Sequence, residues 1–419
     1  MPGWLLLVSA MTAVGPVSID MYLPAFSAIE REFAEGGVAR TMASYLVGIA
    51  LGQLIYGPIS DRFGRKPPLY VGFTLYALGA IGCAVATDME MLMLMRVVQA
   101  LGACGGLVIG RAIVRDKCQP HEAARAFTLL MMIVSLGPVI APTLGGWIIT
   151  AFGWRAVFIF QCAFGIALLI SMHSMMTETR DPAHVVPLRF VQAARGYARL
   201  LGDRVFVGYS LVGGFGMGAL FCYVTSAPTV LMPLFDLSPQ QFGWVVGMNG
   251  LAFLAASRIN MLSLRKRGPL ELLNRTLWVP VCLGALFWGL AHAIALPLWA
   301  VIVLQLSFFI SVARTTPHCS ALALAPHGRE AGTASALMGC LQSLIATLAG
   351  MAVAVFNDGT LTRLALLVFV GAACSWVIKK ITVAADPQRP PESDPLPRSA
   401  GEGQGGGLLR SIPPASPPS

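Results

Sequence analysis

Apolar runs of about twenty residues follow one another along nearly the whole chain, separated by short polar loops. Each run is long enough to cross about 30 Å of hydrocarbon as a helix. That repetition points to an all-α membrane protein. Of 419 residues, 56% are hydrophobic and 12% are charged, and mean hydropathy is +0.71. A soluble chain carries roughly twice that charge. The strands of a membrane barrel are about ten residues long with alternating polarity, a pattern these runs lack.

Twelve spans are predicted, near residues 4–26, 38–59, 68–87, 89–112, 124–150, 154–175, 205–230, 240–262, 271–294, 297–321, 329–355 and 360–381. The longest internal loop divides them six and six. The expected units are therefore 1–175, a linker at 176–204, 205–382, and a tail at 383–419. Phe190, Ala194, Tyr197 and Leu201 recur at helical spacing in the linker, with Arg195 and Arg199 on another face. This predicts a basic amphipathic helix on the inner leaflet. The Pro/Gly/Ser-rich tail is expected to be disordered.

Basic residues give the orientation. With loop 57–67 placed in the cytoplasm, 23 of the 29 Lys and Arg fall on that side. Such asymmetry marks the cytoplasmic face, so both termini are expected there. The same bias accounts for the net charge of +9 without nucleic acid. No signal-peptide cleavage is expected, because no basic segment precedes Trp4 and Asp20-Met-Tyr-Leu-Pro24 follows the first run directly.

Nine cysteines and six histidines show no CxxC or Cys/His spacing. Metal ions, cofactors and disulfides are not expected. HExxH, GxSxG and clustered carboxylates are absent too, which argues against an enzyme.

Asp20, Arg96 and Arg314 sit inside spans, where charge is costly and marks a pathway or a coupling site. Asp20 lies about 24 Å along the first helix, and Arg96 about 10 Å from the start of the fourth, at 1.5 Å per residue. Their similar depth predicts that both face one central cavity. Asp20 can carry a proton. Arg96 keeps its charge and can hold the proton site in tune, with Gln99 one turn on. The loop Gly57-Pro-Ile-Ser-Asp61-Arg62-Phe-Gly64-Arg65-Lys66 is too polar for hydrocarbon and joins the second and third spans.

Twelve spans split six and six, with this loop after the second, resemble the major facilitator superfamily. Its signature G-x-x-x-D-R-x-G-R-[KR] matches at Gly57, Asp61, Arg62, Gly64, Arg65 and Lys66. Other segments are similar to drug:proton antiporters: Ser18 to Pro24, Arg96 to Gly102, and Gly137, Pro138, Pro142, Gly145 and Gly146 in the fifth span. With Ala331 to Leu337, Asn249 and Asn260, the pattern is most similar to the bicyclomycin/chloramphenicol-resistance (Bcr/CflA) branch. Arg314-Thr-Thr-Pro317-His318-Cys319-Ser320 departs from it, since that branch has a more apolar run with a Pro-Asn pair there.

The resemblance implies a fold of two six-helix halves in the bacterial inner membrane. It implies a monomeric secondary transporter that exports small lipophilic drugs in exchange for protons. Export of an endogenous metabolite or siderophore is the alternative. Small molecules, protons and the bilayer are then the partners, and Asp20 and Arg96 the coupling residues. Asp61 is expected against the start of the eleventh helix, near Gly332–Ser335, with Arg65 on Asp116 and Arg115 beside it, as a cytoplasmic gate. The Gly/Pro pattern of the fifth span implies tight packing between halves that limits leak. Candidate substrate contacts are Tyr22, Tyr45, Gln53, Gln99, Gln161, Tyr223, Asn249, Arg314 and Gln342. Arg314 either faces the cavity and favours anions or snorkels to the interface.

Overall fold

The computed structural model describes residues 3–33, 37–118, 120–179, 190–264 and 266–383. Among these the chain is helical, with no strand. The first span is α1 (Gly3–Asp20), a 3₁₀ turn (Leu23–Ala25) and α2 (Phe26–Phe33). Then come α3 (Ala39–Phe63), α4 (Lys66–Ala84), α5 (Met89–Lys117), α6 (Pro120–Phe152) and α7 (Arg155–Met175). The short α8 (Phe190–Gly202) precedes α9 (Arg204–Leu234), α10 (Pro239–Leu264), α11 (Pro269–Thr276) and α12 (Trp278–Ala293). The series closes with α13 (Leu298–Leu324), α14 (Ala331–Phe356) and α15 (Leu361–Val383). Counting α1–α2 and α11–α12 as one span each, and α8 as none, twelve spans result. The expected tail beyond 383 and linker residues 180–189 lie outside the described residues, as does Arg265.

The first span is not the continuous helix 4–26 expected from hydropathy. Pro24 has no N–H, so the helical bond to the carbonyl of Asp20 cannot form. α1 ends at that residue, and the chain turns through Met21 and Tyr22 before α2 begins. Asp20 therefore sits at a helix break.

The halves pack alike. In the first, α5 lies on α3, α4 and α1, α4 on α7, and α1 on α6; in the second, α13 lies on α10, α11–α12 and α9, α12 on α15, and α9 on α14. Between halves the main contacts are α3 with α14 and α6 with α10.

The apolar cores reveal where the halves join. The end carrying the chain's start and the Gly57–Lys66 loop is here the basic end; the other is the far end. One core, at the far end, mixes both halves: Met21, Phe26, Met42 and Phe158 with Leu220, Val230, Phe242 and Phe309. At the basic end there are two cores. One is built from the first half, including Leu5, Met11, Phe73 and Met172. The other is built from α8 and the second half, including Leu200, Phe206, Leu273 and Leu337. The halves are thus sealed together at the far end, whereas toward the basic end their cores are separate and meet only through α3, at Gln53 and Leu54, among the described residues.

Candidate functional site

Arg96 is 0% exposed inside the first half. Its Nη1 donates to Oε1 of Gln99 at 2.8 Å and to the carbonyl of Ser18 at 3.3 Å. The guanidinium carbon lies 4.6 Å from the ring centre of Tyr22 and 4.2 Å from that of Tyr45. Nε and Nη2 have no hydrogen-bond partner. This is a buried cation without a carboxylate beside it, held by ring faces and neutral acceptors. Such burial is costly, and each ring face returns about 0.5–2 kcal/mol.

The network extends outward from Arg96. Nε2 of Gln99 donates to Oε1 of Gln161 at 2.6 Å, joining α5 to α7. Tyr22 Oη pairs with Thr41 Oγ1 at 2.7 Å, and Ser18 Oγ with Tyr76 Oη at 2.8 Å. The hydroxyl of Tyr45 donates to the carbonyl of Gly15 at 3.4 Å. Tyr22, Tyr45, Gln99 and Gln161 are all fully buried. In this conformation they bind helix to helix and do not line a substrate cavity.

Asp20 does not join this network. Ser18, whose carbonyl holds Arg96, turns toward α4 and α5. Two residues on is about 200° round a helix, so Asp20 turns away. It is partly accessible, with no hydrogen bond or ion pair among the described residues. The expectation that Asp20 and Arg96 face one cavity is corrected here: the acid is reachable and the base is sealed inside the half.

The second half has a parallel network. The hydroxyl of Tyr223 donates to Oε1 of Gln305, and Nε2 of Gln305 to Oδ1 of Asn249 at 2.7 Å. Tyr223 and Asn249 are therefore buried helix ties as well. Gln53 bridges the halves, donating to Ser343 Oγ of α14 at 3.1 Å. Gln342 is partly accessible and its Nε2 has no partner. Arg314 lies nine positions after Gln305, about half a revolution away. It shares its side of α13 with exposed Val303 and Pro317. It thus faces away from the polar core of the half, and it is half-buried, with its Nε enclosed and unpartnered among the described residues.

At the basic end, Arg65 is the centre of the loop. Its Nε lies 2.8 Å from Oδ2 of Asp116 and its Nη1 2.7 Å from Oδ1 of Asp61. The side chain of Arg65 is 7% exposed and that of Asp61 57%. Asp61 makes no bond to Gly332–Ser335 in this state, as the parted cores require. Arg62 and Arg115 are exposed, and the ammonium of Lys66 lies 6.0 Å from the Tyr70 ring centre. Glu178, which the sequence reading missed, accepts from the backbone N–H of Arg65 at 2.9 Å and of Lys66 at 3.0 Å. It occupies the N-terminus of α4, where orphan N–H groups favour a carboxylate. Gly64 has φ +88°, and a side chain there would strike that carboxylate.

The fifth-span pattern lies on α6 at two boundaries. Gly145 packs on the carbonyl of Met21, directly after Asp20, and Gly146 on the carbonyl of Pro239 in α10. Gly137 meets Pro16 and Val17 of α1. From the other side, Gly243, Gly247 and Gly250 of α10 pack on the backbone of Pro142, Val139 and Pro138. Adjacent glycines thus touch the break in the first span on one side and the second half on the other. A cavity of about 480 Å³ remains at the far end, between Pro24, Ser27 and Glu30 and Thr229, Met232 and Pro239.

Comparison with known proteins agrees with this architecture. Residues 8–351 match the model of the Major Facilitator Superfamily. "Uncharacterized MFS-type transporter YdgK" of Bacillus subtilis is 31% identical over 373 residues, 87% of this chain and 92% of that protein. "Bicyclomycin resistance protein homolog" of Haemophilus influenzae is 27% identical, over 88% and 93%. "Multidrug resistance protein D" of Escherichia coli is 28% identical, over 81% and 85%. Among solved structures, a D-xylose-proton symporter aligns with TM-score 0.70 at 14% identity, over 89% of this chain and 97% of that one. A bacterial homologue of the human lysosomal transporter Spinster aligns with TM-score 0.73 at 15%, over 91% and 97%. The chain belongs to the major facilitator superfamily and is a multi-pass membrane transporter, not an enzyme.

Proposed function

We propose that the protein exports small lipophilic molecules in exchange for protons, from the bacterial cytoplasm across the inner membrane, with both termini cytoplasmic. The halves 1–175 and 205–382 rock about the α3–α14 and α6–α10 contacts. The relatives named for bicyclomycin and multidrug resistance support the substrate class. The observation that carries the coupling is Asp20, unpaired and partly exposed at a helix break, in the same half as a buried cation with two unpartnered nitrogens.

A carboxylate at that break has two stable conditions. Protonated, it can remain in the bundle unpaired. Ionised, it is stabilised by water or by the free N–H groups of Arg96. Turning toward Arg96 requires movement at Met21–Tyr22, and Gly145 rests on Met21 while Gly146 rests on the other half. Proton loss at Asp20 can thereby reach the far-end seal through backbone contact. Gly57, Asp61, Arg62, Gly64, Arg65, Lys66, Arg115 and Asp116 act as the basic-end gate. Asp61 moves to the start of α14 when that end closes.

The test is transport by the purified protein in liposomes, with Asp20→Asn beside wild type. Wild type accumulates a lipophilic drug against an imposed proton gradient. Asp20→Asn exchanges drug for drug but ignores the gradient. Gradient-driven transport by Asp20→Asn sinks the coupling role. No protection by wild type across a drug panel in an efflux-deficient host redirects the substrate to an endogenous metabolite.

A further inference from the structure

α8 lies at the basic end, where the cores of the halves are separate. It is fixed to the second half. Leu200 is 1% exposed in that half's core, and Asp203 caps α9 by accepting from the N–H groups of Val205 and Phe206. Arg199 pairs with Glu330 at 2.8 Å, just before α14. Gly196 lies against Thr333, within the stretch Gly332–Ser335 that Asp61 needs when the gate closes.

Among the described residues, Tyr197 of α8 bonds to the first half. The hydroxyl of Tyr197 donates to the carbonyl of Leu54 in α3 at 3.4 Å. That carbonyl is free for a definite reason: its helical donor would be residue 58, which is Pro58. Leu54 is also the first-half side chain that packs on the second-half core. Tyr197 thus touches α3 beside the point where Gln53 already meets α14, while its neighbour Gly196 lies on the start of α14.

We infer that Tyr197 is a positioning residue for transport: a wedge, held by α8, that keeps α3 from closing on α14 and so favours the state open at the basic end. The Arg199–Glu330 pair tethers the wedge over the landing place of Asp61. Closure requires α8 to withdraw, which breaks the Tyr197–Leu54 bond and frees the start of α14. The linker therefore competes with the gate. This rests on the alternating-access reading above.

The experiment measures distances in the full-length protein in lipid nanodiscs, with spin labels on encoded unnatural residues. Phe63 and Lys266 report the basic end, and Arg40 and Ala295 the far end; all four are exposed. Tyr197→Ala shifts the basic-end pair toward short distances and the far-end pair toward long ones. The open-to-closed ratio falls by more than about five-fold, because the ring is lost together with one neutral hydrogen bond. Tyr197→Phe, which keeps the ring, gives a smaller shift in the same direction. Arg199→Glu acts like Tyr197→Ala, and adding Glu330→Arg restores the wild-type distribution. Reciprocal change at the two ends separates a wedge from loosened packing, which broadens both. Unchanged or merely broadened distributions in Tyr197→Ala overturn the inference. Asp20→Asn separates the two ideas. If it moves the distances while Tyr197→Ala does not, only the wedge fails. If neither moves them, alternating access fails with it.

Discussion

Arg96 follows the first residue of α5 by seven positions; Gln305 follows the first residue of α13 by the same number. Each lies in the central helix of its half, at the same depth, and each has a tyrosine from the half's first long helical span as a neighbour: Tyr22 and Tyr223. The surroundings differ. Arg96 is a charge with two N–H groups unused, whereas Gln305 is a neutral amide that bonds to Tyr223, Asn249 and the carbonyl of Val245. The second half is thus internally satisfied at this point. The first is left with a demand for negative charge, and a partly exposed acid, Asp20, is on the same half. Repetition of one fold, with one substitution of charge, leaves the two halves with different work.

The largest effect that can break this comparison is at Arg96. Arg96→Met is expected to abolish gradient-driven transport while leaving thermal stability equal or higher, because replacing a buried charge by an apolar side chain of similar volume is often neutral or stabilising. Gln305→Leu should do the reverse. It strands buried polar groups on Tyr223 and Asn249, costing about 1–3 kcal/mol each, while exchange remains sensitive to the proton gradient. Thermal unfolding and liposome transport of the two variants measure both. Equal loss of coupling in both would show the halves to be functionally alike.

Next in size is the seam where the halves meet. A Cβ at Gly243 would lie 2.5 Å from the carbonyl oxygen of Pro142, and one at Gly247 2.9 Å from that of Val139. Gly243→Val should therefore force α10 off α6 and let protons leak through empty liposomes, read with a pH-sensitive dye. A tight membrane would mean that the seal lies elsewhere.

The two basic-end loops give a smaller contrast. Arg65 is nearly buried between Asp61 and Asp116. Among its described residues the second-half loop offers exposed pairs, with Glu271 shared by Arg267 and Arg275. Arg65→Ala should slow transport several-fold, as partly buried charge pairs exceed exposed ones in worth. Arg267→Ala should change stability by less than about 0.5 kcal/mol. The smallest effect is at the start of α5. Asp88 accepts from the N–H of Met91, which with Thr87 holds its carboxyl below the ordinary range. α13 begins at Pro297 without a side-chain cap. Asp88→Ala should lower the melting temperature slightly near neutral pH. Since a depressed pKa stabilises only the ionised form, the difference from wild type should vanish as pH falls through that carboxyl's titration.

Span number, the charged loop and the paired halves were legible because hydropathy reports length and charge reports depth. Direction around a helix was not. Tyr22, Tyr45, Gln99, Gln161, Tyr223 and Asn249 read as cavity contacts because a polar group in an apolar run must find a partner; the sequence does not say that the partner is another helix. Arg314 was ambiguous for the same reason, and counting nine residues from Gln305 places it on the opposite side of α13 only once the role of Gln305 is known. The break at Asp20 could have been foreseen, since Pro24 removes the N–H that the carbonyl four residues earlier needs. Glu178 could not: it lies more than a hundred residues from the N–H groups it accepts from.

The sealing of Arg96, Gln99, Gln161, Tyr22 and Tyr45 inside the first half has an evolutionary consequence. Side chains facing the space between the halves can be exchanged without touching any bond in that circuit. On the proposed reading of that circuit as the coupling machinery, selection for a new cargo can therefore reshape the walls that meet it while the circuit is inherited intact.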